Sequence, residues 1–162
     1  MPELMPSERL LPCLLDRLTD EEPDQPKEGR DRRVVSLRRY VDAVRRDLNW
    51  LLNSIAHAPH ESISRFDEAA RSVLNYGVPS LCGSTASAVE PEALAQSIQR
   101  ALLTFEPRIL RDGLTVRVFA DPREMGGNAV SFEIDGRLWA QPAPEPFYVK
   151  TQVDLETGHW EL

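Results

Sequence analysis

The sequence predicts an α+β domain in which helices pack on one face of a small antiparallel sheet, the layout expected when helical segments precede a run of strands. Three observations carry this reading. Apolar residues recur every three or four positions from Leu37 to Ile55, and again from Leu94 to Phe105. Beyond Gly113 the apolar period falls to two. The dipeptide Asp135-Gly136, set between two alternating runs, marks a hairpin, because a two-residue turn of that composition takes positive φ at both positions.

Taken in order, residues 7–18 (SERLLPCLLDRL) place Leu10, Leu11, Leu14, Leu15 and Leu18 at helical spacing, with Pro12 interrupting early. This reads as a docking helix within residues 1–18. Residues 19–33 contain DEEPDQPKEGRDRR and no apolar side chain, so ordering them buries nothing to offset the entropy lost. They read as a flexible charged linker into one α+β domain, residues 34–162. There Ser36 is placed to cap a helix whose inward stripe is Leu37, Tyr40, Val41, Val44, Leu48, Leu51, Leu52 and Ile55. The other face carries Arg38, Arg39, Asp42, Arg45, Arg46 and Asp47 and reads as solvated, with Arg38 and Asp42 one turn apart.

Residues 56–71 show little periodicity, and SVLNYGVPSLCG (72–83) is a short apolar stretch closed by the turn residues Asn75, Gly77 and Pro79. The next helix runs from Glu90 to Phe105, with Glu90 and Glu92 at its start and Pro107 ending it. Strands follow at Leu114, Val116 and Val118; at Val130, Phe132 and Ile134; at Leu138 and Ala140; and at Phe147, Val149, Thr151 and Val153. Asp135-Gly136 would join the second to the third. Pro142, Pro144 and Pro146 set the last strand apart as a candidate edge, open to a strand from another chain.

With 41% apolar and 28% charged residues, the 162-residue chain has the make-up of a folded domain. Its apolar runs fall far short of the ~20 residues of a membrane span, and MPELMPSERL lacks the basic start of a signal peptide. A cytoplasmic location is therefore expected, with Cys13 and Cys82 as buried reduced thiols. The net charge of −7 opposes nucleic-acid binding, and the arginines of residues 32–46 are interleaved with Asp42 and Asp47 and lack an aromatic platform. An acidic protein surface suits them better. His57 and His60 flank Pro59 with neither cysteine near in sequence, so they read as loop histidines and no metal site is expected. No nucleophile elbow or phosphate loop is present; Gly126-Gly127 suits a turn, and no cofactor is expected.

The ordered set LLDRLTD (Leu14 to Asp20), the charged linker, SLRRYVDAVRRDLNWLLNS (Ser36 to Ser54), SVLNYG (Ser72 to Gly77) and FEPR (Phe105 to Arg108) resembles the TssE family of type VI secretion baseplate proteins. That family is similar to phage baseplate wedge proteins once labelled lysozyme-like, and the resemblance covers nearly the whole chain. It implies a sheath-type handshake domain, a wedge complex with TssF, TssG and TssK, a place at a membrane-docked baseplate, and sheet edges on which the TssB/TssC sheath begins to polymerise. A phage tail or other contractile particle is the alternative setting. The family's Glu-Pro-Arg motif maps onto Glu106, Pro107 and Arg108 and is implied to contact the wedge core.

The physics of those three residues is legible in itself. Pro107 fixes the backbone at a helix end, and Arg108 presents a planar fork suited to a carboxylate or to terminal carbonyls. An internal Glu106–Arg108 ion pair is the plainer alternative. Glycoside cleavage takes two carboxyl groups about one bond, one kept protonated. A cation two residues from Glu106 favours the ionised form instead, so a structural protein rather than an enzyme is expected. On this reading Leu11, Leu14, Leu15 and Leu18 hold the wedge together with Glu106, Pro107 and Arg108. The strand bearing Phe147, Val149, Thr151 and Val153 receives the sheath by β-augmentation. Neither Arg108 nor residues 1–18 is expected to be needed for folding.

Overall fold

Helices come first in the chain and an antiparallel sheet last, as the periodicity switch at Gly113 predicts. The computed structural model describes residues 10, 12–19, 24, 35–57, 62–85, 88–119, 129–141 and 143–162. Its helices are α1 (Leu14–Leu18), α2 (Leu37–Leu52), α3 (Asp67–Ala70) and α4 (Pro91–Phe105), with short 3₁₀ turns at Ser62–Arg65 and Val73–Asn75. The strands β1 (Thr115–Phe119), β2 (Ala129–Leu138), β3 (Glu145–Asp154) and β4 (Trp160–Glu161) lie side by side in chain order, every neighbouring pair antiparallel.

Ser36 starts α2 as expected: its Oγ accepts from the Arg39 N–H at 3.3 Å, satisfying one of the donors a first turn leaves free. Tyr40, Val44, Leu48, Leu51 and Leu52 are buried. Three of the expected stripe residues are not: Leu37 opens the helix exposed, Val41 is half-buried against the core, and Ile55 lies past its end, exposed, in a parallel bridge to Val78. That bridge organises the segment the sequence left unassigned. Gly77, at φ +131°, lets it form, since a Cβ there would meet the Ser54 carbonyl oxygen at 2.3 Å. Pro91 opens α4, where its missing N–H costs nothing, and Leu94, Ile98, Ala101 and Leu102 turn inward.

The sheet differs from expectation at its centre. Asp135-Gly136 does not turn; it lies inside β2, paired on one side with Tyr148 and Phe147 of β3. Among the described glycines positive φ occurs at Gly77, Gly83, Gly113 and Gly158, and Gly136 is not one of them. Its lack of a side chain serves packing, because a Cβ there would come 3.3 Å from Leu114 Cδ1. The expected second and third strands are thus one, and Ala140 is buried just beyond its end. The tight hairpin of the sheet joins β3 to β4 instead. Asp154 Oδ1 accepts from the N–H groups of Glu156 and Thr157, both at 2.8 Å, and Gly158 adopts φ +71°.

Val130, Phe132, Ile134 and Leu138 of β2 and Phe147, Val149, Thr151 and Val153 of β3 all face the helices and form the core with α2 and α4. Trp160 closes it, its ring 4.4 Å from that of Phe132. At the N-terminal end, helix is confined to Leu14–Leu18, not spread over residues 7–18. Leu10 is 3% exposed and bridges Val35, so it belongs to the core rather than to a docking helix. Of the expected linker, Thr19 and Asp24 are described and the rest lies outside the described residues, as do Leu11, His60 and Gly126-Gly127. The expectation of two buried thiols is corrected: Cys82 is exposed on a turn, its thiol donating to the Glu156 carbonyl, and Cys13 is half-buried.

Candidate partner-binding surface

Past Phe105 the chain cannot stay helical, because Pro107 lacks the N–H that the next turn needs. The backbone turns through Glu106, whose N–H still reaches the Leu102 carbonyl at 2.9 Å, and Ile109 N–H closes the turn on the Glu106 carbonyl at 3.1 Å. This turn buries Glu106 to 4% exposure and returns Arg108 over it. The Arg108 fork grips both carboxylate oxygens, Nε to Oε1 at 2.6 Å and Nη2 to Oε2 at 2.5 Å, while the Arg108 backbone N–H adds a third bond at 3.1 Å. The plainer alternative, an internal ion pair, is therefore present in the fold.

The pair is the end of a longer chain of charges. Arg108 Nη2 also reaches Asp47 of α2 at 2.5 Å, Asp47 accepts from Arg46 at 2.7 Å, and Arg46 Nη1 reaches Asp16 of α1 at 2.5 Å. Asp16 takes a further bond from the Cys13 thiol at 2.9 Å. Burial pushes the Arg108 guanidinium down, but Glu106 and Asp47 outweigh it and raise its pKa above the ordinary value. The hydrogen bond to Asp16 raises Arg46 likewise. For Asp16 burial acts upward, yet the bonds from Arg46 and Cys13 hold it below the ordinary carboxylate value. Tyr40 ties this corner to the sheet, donating its hydroxyl to the Trp139 carbonyl at 2.9 Å, and burial raises its pKa. Trp139 N–H in turn donates to the Arg108 carbonyl at 2.7 Å.

Beside the network lies a groove of about 470 Å³ walled by Trp50, Trp139, Tyr76, Phe105, Pro107 and Leu15. Trp50 and Trp139 are 48% and 50% exposed, large values for the most costly apolar side chain to leave in water. The Arg46 guanidinium sits over the Trp50 ring at 5.1 Å from its centroid. Arg108 Nη1 is buried and has no hydrogen-bond partner among the described residues. An unmet buried donor costs roughly 1–3 kcal/mol, and an acceptor brought by a partner would relieve it.

Glu106, Pro107, Arg108 and Leu15 thus share one surface, with Leu14 and Leu18 exposed on the adjacent α1. Phe147, Val149, Thr151 and Val153 sit elsewhere, and their side chains are buried in the core. What β3 offers outward is backbone. Asp154 N–H points to His159 on the β4 side, so by strand alternation the N–H and C=O groups of Tyr148 and Lys150 point that way too. There β4 pairs with Gln152 and Val153, and among the described residues no strand covers β3 from Glu145 to Lys150. Pro146, which has no N–H to leave unpaired, falls on that same outward parity, where an edge tolerates it.

Asp16, Asp47, Trp50 and Trp139 were missed from sequence. Asp47 and Arg46 read as a solvated face, and only their turn of α2, one helical step from the buried Val44 and Leu51, hinted otherwise. Among the described residues no helix is long and apolar enough to cross a membrane, and no cluster of His, Cys, Asp and Glu has the geometry of a metal site.

Comparison with known proteins gives a family. The model of the baseplate wedge protein gp25 matches residues 38–143, which takes in α2, α4, β1, β2, the Glu106–Arg108 turn and both groove tryptophans. No curated protein matches the chain. Because the match spans well over half of the sequence, the chain belongs to the baseplate wedge protein gp25 family and is a structural component of a baseplate, built to contact other baseplate proteins.

Proposed function

We propose that the chain is the TssE-type subunit of a type VI secretion baseplate, a structural adaptor and not an enzyme, working in the cytoplasm at the membrane-docked baseplate. The observation that carries this reading is the groove beside Arg108, where two half-exposed tryptophans adjoin an arginine already fixed by Glu106 and Asp47. Tryptophan and arginine dominate the energetics of protein interfaces, and a side chain ordered beforehand loses little entropy on binding. The carboxylates here serve as ion-pair partners of Arg108, an arrangement suited to a fixed contact. The wedge proteins TssF, TssG and TssK are assigned to this groove, with Leu14, Leu15 and Leu18 of α1 at its margin. The sheath proteins TssB/TssC are assigned to the open edge of β3, by β-augmentation.

The test is co-purification of the tagged chain with the TssF and TssG of its own locus, comparing native protein with Trp139→Ala. Trp139 ties the corner through its backbone, which the substitution keeps, so the fold is expected to survive and the complex to be lost. A variant that co-purifies like native protein would remove the groove from the contact. A locus encoding a phage tail in place of TssF and TssG would move the same contacts to a phage wedge.

A further inference from the structure

Along the open edge of β3 runs a second concavity, of about 580 Å³, between α2 and the strand; Arg45, Arg46 and Asn49 line one wall and Tyr148, Val149 and Lys150 the other. Its charge runs against that of the molecule, which carries a net −7. Arg46 is committed to Asp16 and Asp47. Arg45 and Lys150 are exposed and form no ion pair among the described residues. Glu133, which stands opposite Lys150 in the β2 register, lies 3.9 Å from Arg117 and also beside Tyr148. Two cations without an ion pair among the described residues therefore flank the stretch of β3 whose backbone N–H and C=O groups, at Tyr148 and Lys150, face away from any described strand.

We infer that this groove takes an extended acidic segment of a partner protein, which adds to the sheet beside Tyr148 and Lys150 and sets carboxylates against Arg45 and Lys150. The backbone edge supplies affinity without sequence preference, and the cations supply the selection. An added strand alternates its side chains between the α2 side, where Arg45 stands, and the outer face, where Lys150 stands, so acidic residues on either parity meet a cation. Non-acidic strands would leave both cations unmatched, and basic ones would be repelled. The inference rests on the reading of this edge as the receiver of a sheath strand, and adds the chemistry of that strand.

The experiment measures binding of the purified TssB/TssC pair of the same locus to the full chain from low to high salt, for native protein, R45Q/K150Q and R45E/K150E, with circular dichroism confirming that each variant is folded. Native binding should weaken with salt. R45E/K150E should bind about tenfold or more weakly at low salt with a flattened salt dependence, and the neutral pair should fall between. Equal binding by R45E/K150E and native protein at every salt would overturn the acidic-strand inference while leaving the edge as receiver. Absence of native binding would overturn the sheath reading itself, and the inference with it.

Discussion

Glu106 shows how deeply a motif proposed for partner contact is built into the fold. A carboxylate buried this deeply is tolerable only because Arg108 meets both of its oxygens, and Arg108 is steadied in turn by Asp47, sixty-one positions away in sequence. The expectation that Arg108 could be removed without harm to the fold is therefore revised. Arg108→Ala leaves a buried charge without its partner and should lower stability by roughly 3–5 kcal/mol in urea unfolding, whereas E106Q/R108M, which removes both charges, should recover most of that loss. An unchanged midpoint in Arg108→Ala would mean that the pair is not buried in solution. The local half of this site, Glu106 with Arg108, was legible as one of two alternatives. Its distant half, Asp47, Asp16 and the tryptophans, was not, because nothing in a sequence registers which turn of α2 will face a loop far along the chain.

Among the elements, β2 carries the clearest lesson. A two-residue turn at Asp135-Gly136 would pair Glu133 with Leu138 and put Leu138 and Ala140 on the face opposite Ile134 and Phe132. The even-numbered run Val130, Phe132, Ile134, Leu138 holds one parity straight through Gly136, and that parity already favoured a continuous strand. The strand won because it buries all four on one face, and Leu114 fills the space that Gly136 leaves. β4 escaped notice for a different reason: two residues are too short for any period. At the other end, α1 has no buried residue, and its attachments among the described residues run through Asp16 and the capping Cys13 to Arg46 and through the neighbouring Leu10 to the core. Since the folded pKa of Asp16 lies below its ordinary value of 3.8, the stabilisation from this carboxylate is complete above 3.8 and is lost as pH falls below it. Amide signals of α1 followed by NMR should shift and broaden below that value, and in Asp16→Asn should already do so at neutral pH. Indifference of α1 to both would place its attachment on Leu10 alone. Deleting residues 1–18 is no longer expected to be neutral, since it strips Leu10 from the core.

For the whole molecule, helices on one face of an antiparallel sheet were legible from two periods and the point where they change, since burial on one face dictates both. Among the described residues no strand covers β3 from Glu145 to Lys150, and an aromatic groove lies at the helix-to-sheet corner, each with α2 as a wall. Asp47 and Trp50 look into the groove and Arg45 and Asn49 toward the β3 edge, so a single helix separates two candidate contact surfaces. That geometry suits the proposed adaptor, which would hold a wedge on one side and start a sheath on another. The most direct measurement counts fluorescent sheaths in cells lacking this chain and complemented with native protein or Trp139→Ala. Sheaths absent from the deletion, restored by native protein and still absent with Trp139→Ala are the expected result; sheaths of normal number and length in the deletion would contradict the adaptor role.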